Sequence, residues 1–504
     1  MKPQQLFTLD APQPEPESEP GCGFVCRVRA SLPALGVIAV AIASSVVLTL
    51  GGCASSAGIA STAQTLAPVN VGLDAAAVVP AVVIDWWRGF DDPALNSLVE
   101  RALADNPSLK VAQARLARAQ AAVAGARAAD GPQVNGSLDA TRQRFSANSI
   151  YPPPLGGGIY TLGTAQIGGS WECDFVGRNR AALEAAVGTQ RAAQADAQAA
   201  RIVLASNVAR TYVQLGRLFE QREVAARALE SRDETLALIR QRVQGGLDTN
   251  VELRQGEGAL PETRQVIEQL DEQIALGRHA LAALTAQPPN ALDALSVRLA
   301  SVQAVPLPAA VPADLLGRRA DIAGARWRVE AATSDMKNAQ AQFYPNVNLT
   351  AFVGLSSIGL DRLLKSGSEQ YGAGPATHLP IFDSGRLRAN LSGKATDRDA
   401  AVESYNATVL DAVHDVADQI GSMRSIARQQ AEQVGAQAAA ESAYDLATQR
   451  YKAGLGTYLT VLNAELNVLT QRRLSADLKA RALDVQIALI RSLGGGYTNP
   501  GELS

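Results

Sequence analysis

The 504-residue chain is 47% hydrophobic, 5% aromatic and 19% charged, with a formal net charge of −3. That balance excludes the basic footprint of a nucleic-acid binder, and the low aromatic content argues against a large aromatic-packed globular core. The length could hold two or three ordinary domains, but the abundance of alanine suits long, closely packed helices.

Residues 1–52 read as an N-terminal extension and a signal peptide. MKPQQLFTLDAPQPEPESEP is rich in Pro and Glu and has little to bury. Arg27 and Arg29 then precede the apolar run SLPALGVIAVAIASSVVLTLGGC, the order of a secretory signal. A run of roughly 18 apolar residues is also long enough for a transmembrane anchor. The ending Leu50-Gly51-Gly52-Cys53 resembles a bacterial lipobox. That resemblance implies lipidation of Cys53 as the mature N-terminus, and Ala54 after it implies sorting to the outer membrane. Cleavage there would remove Cys22 and Cys26 and leave Cys173 as a lone thiol, with no disulfide framework. Residues 53–84 form an Ala-, Ser- and Val-rich tether.

Residues 85–304 make a first repeat. A helical pattern runs from Asp91 to about Ala129. In QVNGSLDAT, Val134, Gly136, Leu138 and Ala140 then alternate with polar residues, which predicts a strand. YPPPLGGG (151–158) is a loop, and a second strand spans about Ile159 to Cys173. No proline follows until Pro261, and one helix is predicted from Gly177 to about Val243, roughly 100 Å long at about 1.5 Å per residue. Its stripe is Val208, Tyr212, Leu215 and Phe219. Gly245-Gly246 ends it, and a return helix follows from about Thr249 to Ala286, with a kink expected at Pro261. PPNAL (288–292) begins the connection, and residues 305–313 are a Pro-rich linker.

Residues 314–497 repeat the order, and 498–504 are a tail. A helix over about 314–342 leads to a strand with Val347, Leu349, Ala351, Val353 and Leu355 alternating, a loop near 356–369 and a strand over about 371–382. A long helix ending at Gly454 carries the stripe Val402, Tyr405, Val409, Val413, Val416, Ile420, Met423 and Ala427, and a return helix runs to about Leu493. SWECDFVGRNRAAL (170–183) answers HLPIFDSGRLRANL (378–391), with Asp174 and either Asp383 or Ser384 as expected N-caps. The chain is therefore a tandem duplication. An isolated two-stranded hairpin is not stable in water, whereas strands of this length fit a membrane barrel. A closed barrel needs more strands than one chain supplies, so an oligomer is expected. A soluble β cap on a coiled-coil scaffold is the other reading of the hairpins.

Five ordered stretches resemble the TolC-like outer-membrane efflux factors, in their NodT- or OprM-like lipoprotein branch. They are DWWRGFDDPALNSLVERAL (85–103), SWECDFVGRNR (170–180), VPADLLGRRADI (311–322), PIFDSGRLRA (380–389) and QRYKAGLGTYLTVLNAE (449–465); Ala320 stands where the family has Pro. The resemblance spans about Asp85 to Leu493. It implies an α+β membrane channel: a homotrimer with a 12-stranded β-barrel continued by a 12-helix periplasmic α-barrel. It also implies a periplasmic adaptor and an inner-membrane pump as partners, contact with outer-membrane lipid, no cofactor and no catalysis. A lipid-anchored periplasmic coiled-coil scaffold or adaptor without a pore is the alternative.

In this resemblance QRVQGGLDTNVEL (241–253) and QRYKAGLGTYLTV (449–461) are the two periplasmic hairpin tips, turning at Gly245, Gly246 and Gly454. The pore constriction it implies falls on Tyr451, Leu459 and Asn463, the last replacing the usual Asp, with Glu252 as the acidic position from the first repeat; Asp248 lies at the same turn and is a further candidate for the gate. A threefold carboxylate ring attracts cations and responds to pH, and an apolar ring such as Leu459 closes by dewetting. Surface solvation remains open for Glu252, and plain helix packing for Tyr451. His279, His378 and His414 are scattered, His414-Asp415 reads as a solvated pair, and Trp86-Trp87 as packing of the first helix.

Overall fold

The computed structural model describes residues 55–66, 82–148, 150–302 and 315–498. The signal region, Cys22, Cys26, Cys53, most of the tether, the 305–313 linker and residues 499–504 lie outside the described residues.

The helix expected from Asp91 is two helices, α1 (Pro93–Asp105) and α2 (Pro107–Ala129), after a single 3-10 turn at Trp86–Phe90. Each opens on an Asx-Pro pair. Asp92 Oδ1 accepts from the Ala94 and Leu95 amides at 2.9 and 3.2 Å, and Asn106 Oδ1 from the Ser108 amide at 2.8 Å. Pro107 disfavours helical geometry at the residue before it. Asn106 accordingly sits at ψ 124, and the helix breaks there.

β1 (Gln133–Arg144) and β2 (Ile159–Cys173) form the first hairpin, β3 (Asn346–Ile358) and β4 (Glu369–His378) the second. β4 stops at His378, two residues before Pro380 and short of the expected 382; as an edge strand it tolerates Pro375 within it. The two hairpins are not separate: β2 pairs with β3 in the register Ile167↔Val353, giving one antiparallel sheet in the order β1-β2-β3-β4. The register puts Val134, Leu138, Ile167, Val353 and Tyr371 on one face, all well exposed. The other face carries Asn135, Ser137, Gln166, Thr350 and Gln370, with Gln370 donating to Gln166 at 3.2 Å. Within the chain, β1 and β4 are open edges.

The helical part comprises α3 (Arg178–Gln244), α4 (Asn250–Leu284), α5 (Ala320–Ala341), α6 (Arg386–Lys452) and α7 (Tyr458–Ser492). A four-residue helical turn, Leu315–Arg318, precedes α5. α3 and α6 have 67 residues each, roughly 100 Å. Gly177 (φ 76) and Gly385 (φ 87) occupy the N-cap positions, correcting the expected Asp or Ser. The carboxylates still satisfy the first amides, from slightly upstream. Asp174 accepts from Arg178 and Arg180 at 2.7 and 2.9 Å, and Asp383 from Leu387 at 2.8 Å.

α2 and α4 lie along α3, and α5 and α7 along α6, with α3 also touching α5 and α7. The shorter helices meet nearly end to end. Asn106 Nδ2 donates to the Leu284 carbonyl at 2.8 Å in the first repeat, and Arg319 Nη1 to the Ser492 carbonyl at 3.1 Å in the second. Each repeat thus offers two parallel helical tracks of similar length. Pro261 lies inside α4 without ending it. The main core gathers Trp86, Trp87, Phe90, Val208, Tyr212, Leu215 and Ile487, and the two tryptophans stack edge-to-face at 5.8 Å. The α6 stripe holds through Ile420, then passes through Ile426, with Ala427 exposed. No helix among the described residues is long and apolar enough to cross a membrane.

Candidate functional site: the paired hairpin tips

The two tips share their backbone hydrogen bonds. Gly246 (φ 73) and Gly454 (φ 76) take the left-handed position after each long helix, which glycine reaches without strain. Leu247 then donates to the Arg242 carbonyl and Leu455 to the Arg450 carbonyl, both at 2.8 Å. Gly245, expected as a turn glycine, has φ −81 and corresponds to Ala453, so its conformation does not need glycine.

One carboxylate joins the tips. Arg242 Nε donates to Asp248 Oδ2 at 2.9 Å and Nη2 to Oδ1 at 3.3 Å. The Tyr451 hydroxyl donates to Asp248 Oδ2 from the other repeat. Arg242 also donates to the Tyr451 carbonyl at 3.1 Å, and its guanidinium lies 4.6 Å from the Tyr451 ring centre. Tyr451 is 1% exposed, and Ile239, Ala447, Tyr458 and Val461 pack around it. Burial works to raise the Asp248 carboxyl, but the bonds from Arg242 and Tyr451 outweigh it and hold the group below the ordinary carboxylate range. Burial, and then the bond to Asp248, push the Tyr451 phenol well above its usual value, so it remains a donor.

The other expected gate residues sit apart from this cluster. Glu252 is the third residue of α4 and closes a capping box with Thr249, accepting its amide at 2.9 Å. The bonds from Thr249 and the local backbone lower its carboxyl. Its charge therefore serves the helix start first. Leu459 is 54% exposed and Asn463 is exposed one turn further along α7.

Arg242 was not anticipated, although an Arg six positions before an Asp, across a glycine turn, was a readable signal. A second node lies deeper. Arg232 on α3 pairs with Glu465 on α7 at 3.0 Å, with both side chains 10% exposed. Arg232 also donates to Thr263 Oγ1 at 2.8 Å on α4. Nothing in the spacing of residues 232, 263 and 465 announced it. Among the described residues no cluster of His, Cys, Asp and Glu is arranged to hold a metal, and the three histidines are exposed. The site ties the two helix ends together through Asp248; among the described residues it presents no nucleophile with a base.

The family model described as outer membrane efflux protein matches residues 98–287 and again 311–495, one match in each repeat. The chain is 38% identical over 367 residues to the fusaric acid resistance protein FusA of Burkholderia cepacia, covering 71% of this chain and 69% of that one. It is 33% identical over 420 residues to the multidrug resistance outer membrane protein MdtQ of Escherichia coli O6:H1, covering 82% and 88%. The structure resembles the outer membrane protein VceC of Vibrio cholerae with a TM-score of 0.78 at 35% identity, over 84% of this chain and all of that one. It also resembles the open state of the Neisseria gonorrhoeae MtrE outer membrane channel, with a TM-score of 0.75 at 25% identity over 88% and 98%.

Proposed function

We propose that this chain, which belongs to the outer membrane efflux protein family, is a passive conduit whose periplasmic mouth is held shut by the Asp248 latch. It is an outer-membrane efflux channel, the last component of a tripartite export system. The observation that carries the conduit reading is the sheet: four antiparallel strands with one exposed apolar face, one polar face and two open edges. Edges of that kind are removed only by pairing with further strands. Three copies would close a 12-stranded barrel, and their four helical tracks each would close a 12-helix tunnel. Export is driven by an inner-membrane pump acting through a periplasmic adaptor. The names of the relatives, multidrug and fusaric acid resistance, support small toxic organic molecules as cargo.

Lipidation at Cys53 belongs to the same reading. The strap of residues 55–66 runs along α6 in the direction of the helix. Arg388 donates to the Ala57 carbonyl at 3.2 Å, Asp399 accepts the Thr62 and Ala63 amides at 3.0 and 2.9 Å, and Asn406 accepts the Leu66 amide at 2.9 Å. Residue 55 is thereby held beside the first turn of α6, near the sheet. Cys53 is only two residues further, which supports an acyl chain entering the same membrane.

The test is efflux from cells deprived of their own exporters. Expressing the chain with a matching adaptor and pump should lower accumulation of a fluorescent substrate, and any one component alone should not. Full efflux with the adaptor and pump but without this chain would contradict the assignment.

A further inference from the structure

Both long helices begin against their own dipole. Neither has an acidic residue in its first turn; Arg178 and Arg180 open α3, and Arg386 and Arg388 open α6, where a helix start favours negative charge. An exposed phenylalanine precedes each pair, Phe175 at 78% and Phe382 at 84%. The backbone amides at these ends are already occupied by Asp174 and Asp383. Any ligand there would meet side chains rather than free amides.

Beside the start of α3 is a cleft of about 640 Å³ running to the end of α5, lined by Val176, Arg180, Lys337, Gln340, Tyr344 and Ser56 of the strap. Arg180 Nε donates at 3.2 Å to Glu184, which also lines the cleft, and Arg178 is engaged by Glu172. Lys337 has no carboxylate partner among the described residues. Tyr344 is 57% exposed and Val176 43%. Val176 lies between β2 and α3, and Tyr344 between α5 and β3. The cleft is thus level with the change from sheet to helix. On the channel reading, on which this inference rests, that level is the membrane surface facing the periplasm.

We propose that this cleft binds the headgroup of an anionic phospholipid from the periplasmic leaflet. Arg180 and Lys337 hold the phosphate, while Val176 and Tyr344, with Phe175 beside them, lie along the first carbons of the acyl chains. Among the residues lining the cleft, Arg180 and Lys337 stand against the single carboxylate of Glu184; that net positive charge complements an anionic headgroup and is already offset in a zwitterionic one. Exposed Phe and Tyr next to Arg and Lys have the composition of a membrane interface, where aromatic rings sit at headgroup depth.

The test uses the purified full-length protein in detergent, with lipid retention read by native mass spectrometry. Phosphatidylglycerol, phosphatidylcholine and inorganic phosphate are the probes. Phosphatidylglycerol should bind at least about tenfold better than phosphatidylcholine, and inorganic phosphate should not displace it. The double variant Arg180→Gln, Lys337→Gln should lose that preference, and Arg180→Lys with Lys337→Arg should keep it. Undiminished phosphatidylglycerol binding by the neutral variant would overturn the site, as would equal binding of the two lipids or displacement by phosphate. Bilayer conductance separates this from the channel reading: the neutral variant should still conduct, and a wild-type protein that never conducts would overturn the channel reading itself.

Discussion

Replacing Asp248 with Asn would keep the shape of the side chain and remove its charge. Both partners would lose a charge-assisted bond inside a tip where Asp248 and Arg242 are about one-tenth exposed. The sign of the pH response follows from the lowered Asp248 carboxyl. A depressed group contributes stability above its unfolded pKa, about 3.9 for Asp, and that contribution disappears as pH falls through the lower folded value. Resting conductance should therefore be flat from about pH 8 to pH 5 and rise only below about pH 4. A rise centred near neutral pH would assign the switch to another group. The capping box makes a different prediction for Glu252. Glu252→Gln keeps an acceptor for the Thr249 amide and should leave cation preference nearly unchanged, whereas Asn463→Asp adds an exposed charge on α7 and should raise it. Reversal potentials in a salt gradient check both, and a large loss of preference in Glu252→Gln would restore that residue to the pore. Asp248 and Tyr451 were each legible in the sequence but their bond was not, because the pair is 203 positions apart and only packing of the two tips brings it together.

The repeat was legible at the scale of elements because it is written in local chemistry. Proline-free stretches, alternation in the strands and glycine at the tips were each readable within a few residues. The limits of β2, α3 and α4 fall within a few residues of expectation for that reason. The break at Asn106-Pro107 shows a local rule winning over a continuous helical pattern. Pairing of β2 with β3 across the repeats was not legible, since register between distant strands is set by the faces they share. The same holds for the Arg232–Glu465 pair that ties α3 to α7. Arg232→Ala leaves Glu465 buried without its cation and should cost about 3–5 kcal/mol. The double change Arg232→Met, Glu465→Leu should recover most of it. Thermal unfolding of the purified protein measures both, and a single variant as stable as wild type would show that the pair adds nothing to helix packing.

For the whole molecule, the exposed apolar face of the sheet and its open edges demand lipid and further strands, whatever happens at the N-terminus. Cys53→Ser removes the proposed acyl attachment and leaves β1 to β4 intact. The variant should remain in membranes and still need detergent for extraction; release by salt or carbonate alone would favour a tethered scaffold. Whether the conduit is closed at rest by the Asp248 latch can be read from planar-bilayer recording of the full-length protein beside Asp248→Asn. Loss of a charged hydrogen-bond network costs about 2 kcal/mol, or roughly a thirtyfold shift toward the open mouth. The wild type should show small resting steps and the variant larger, longer-lived ones. Equal conductance and open time in the two proteins would contradict closure by the latch.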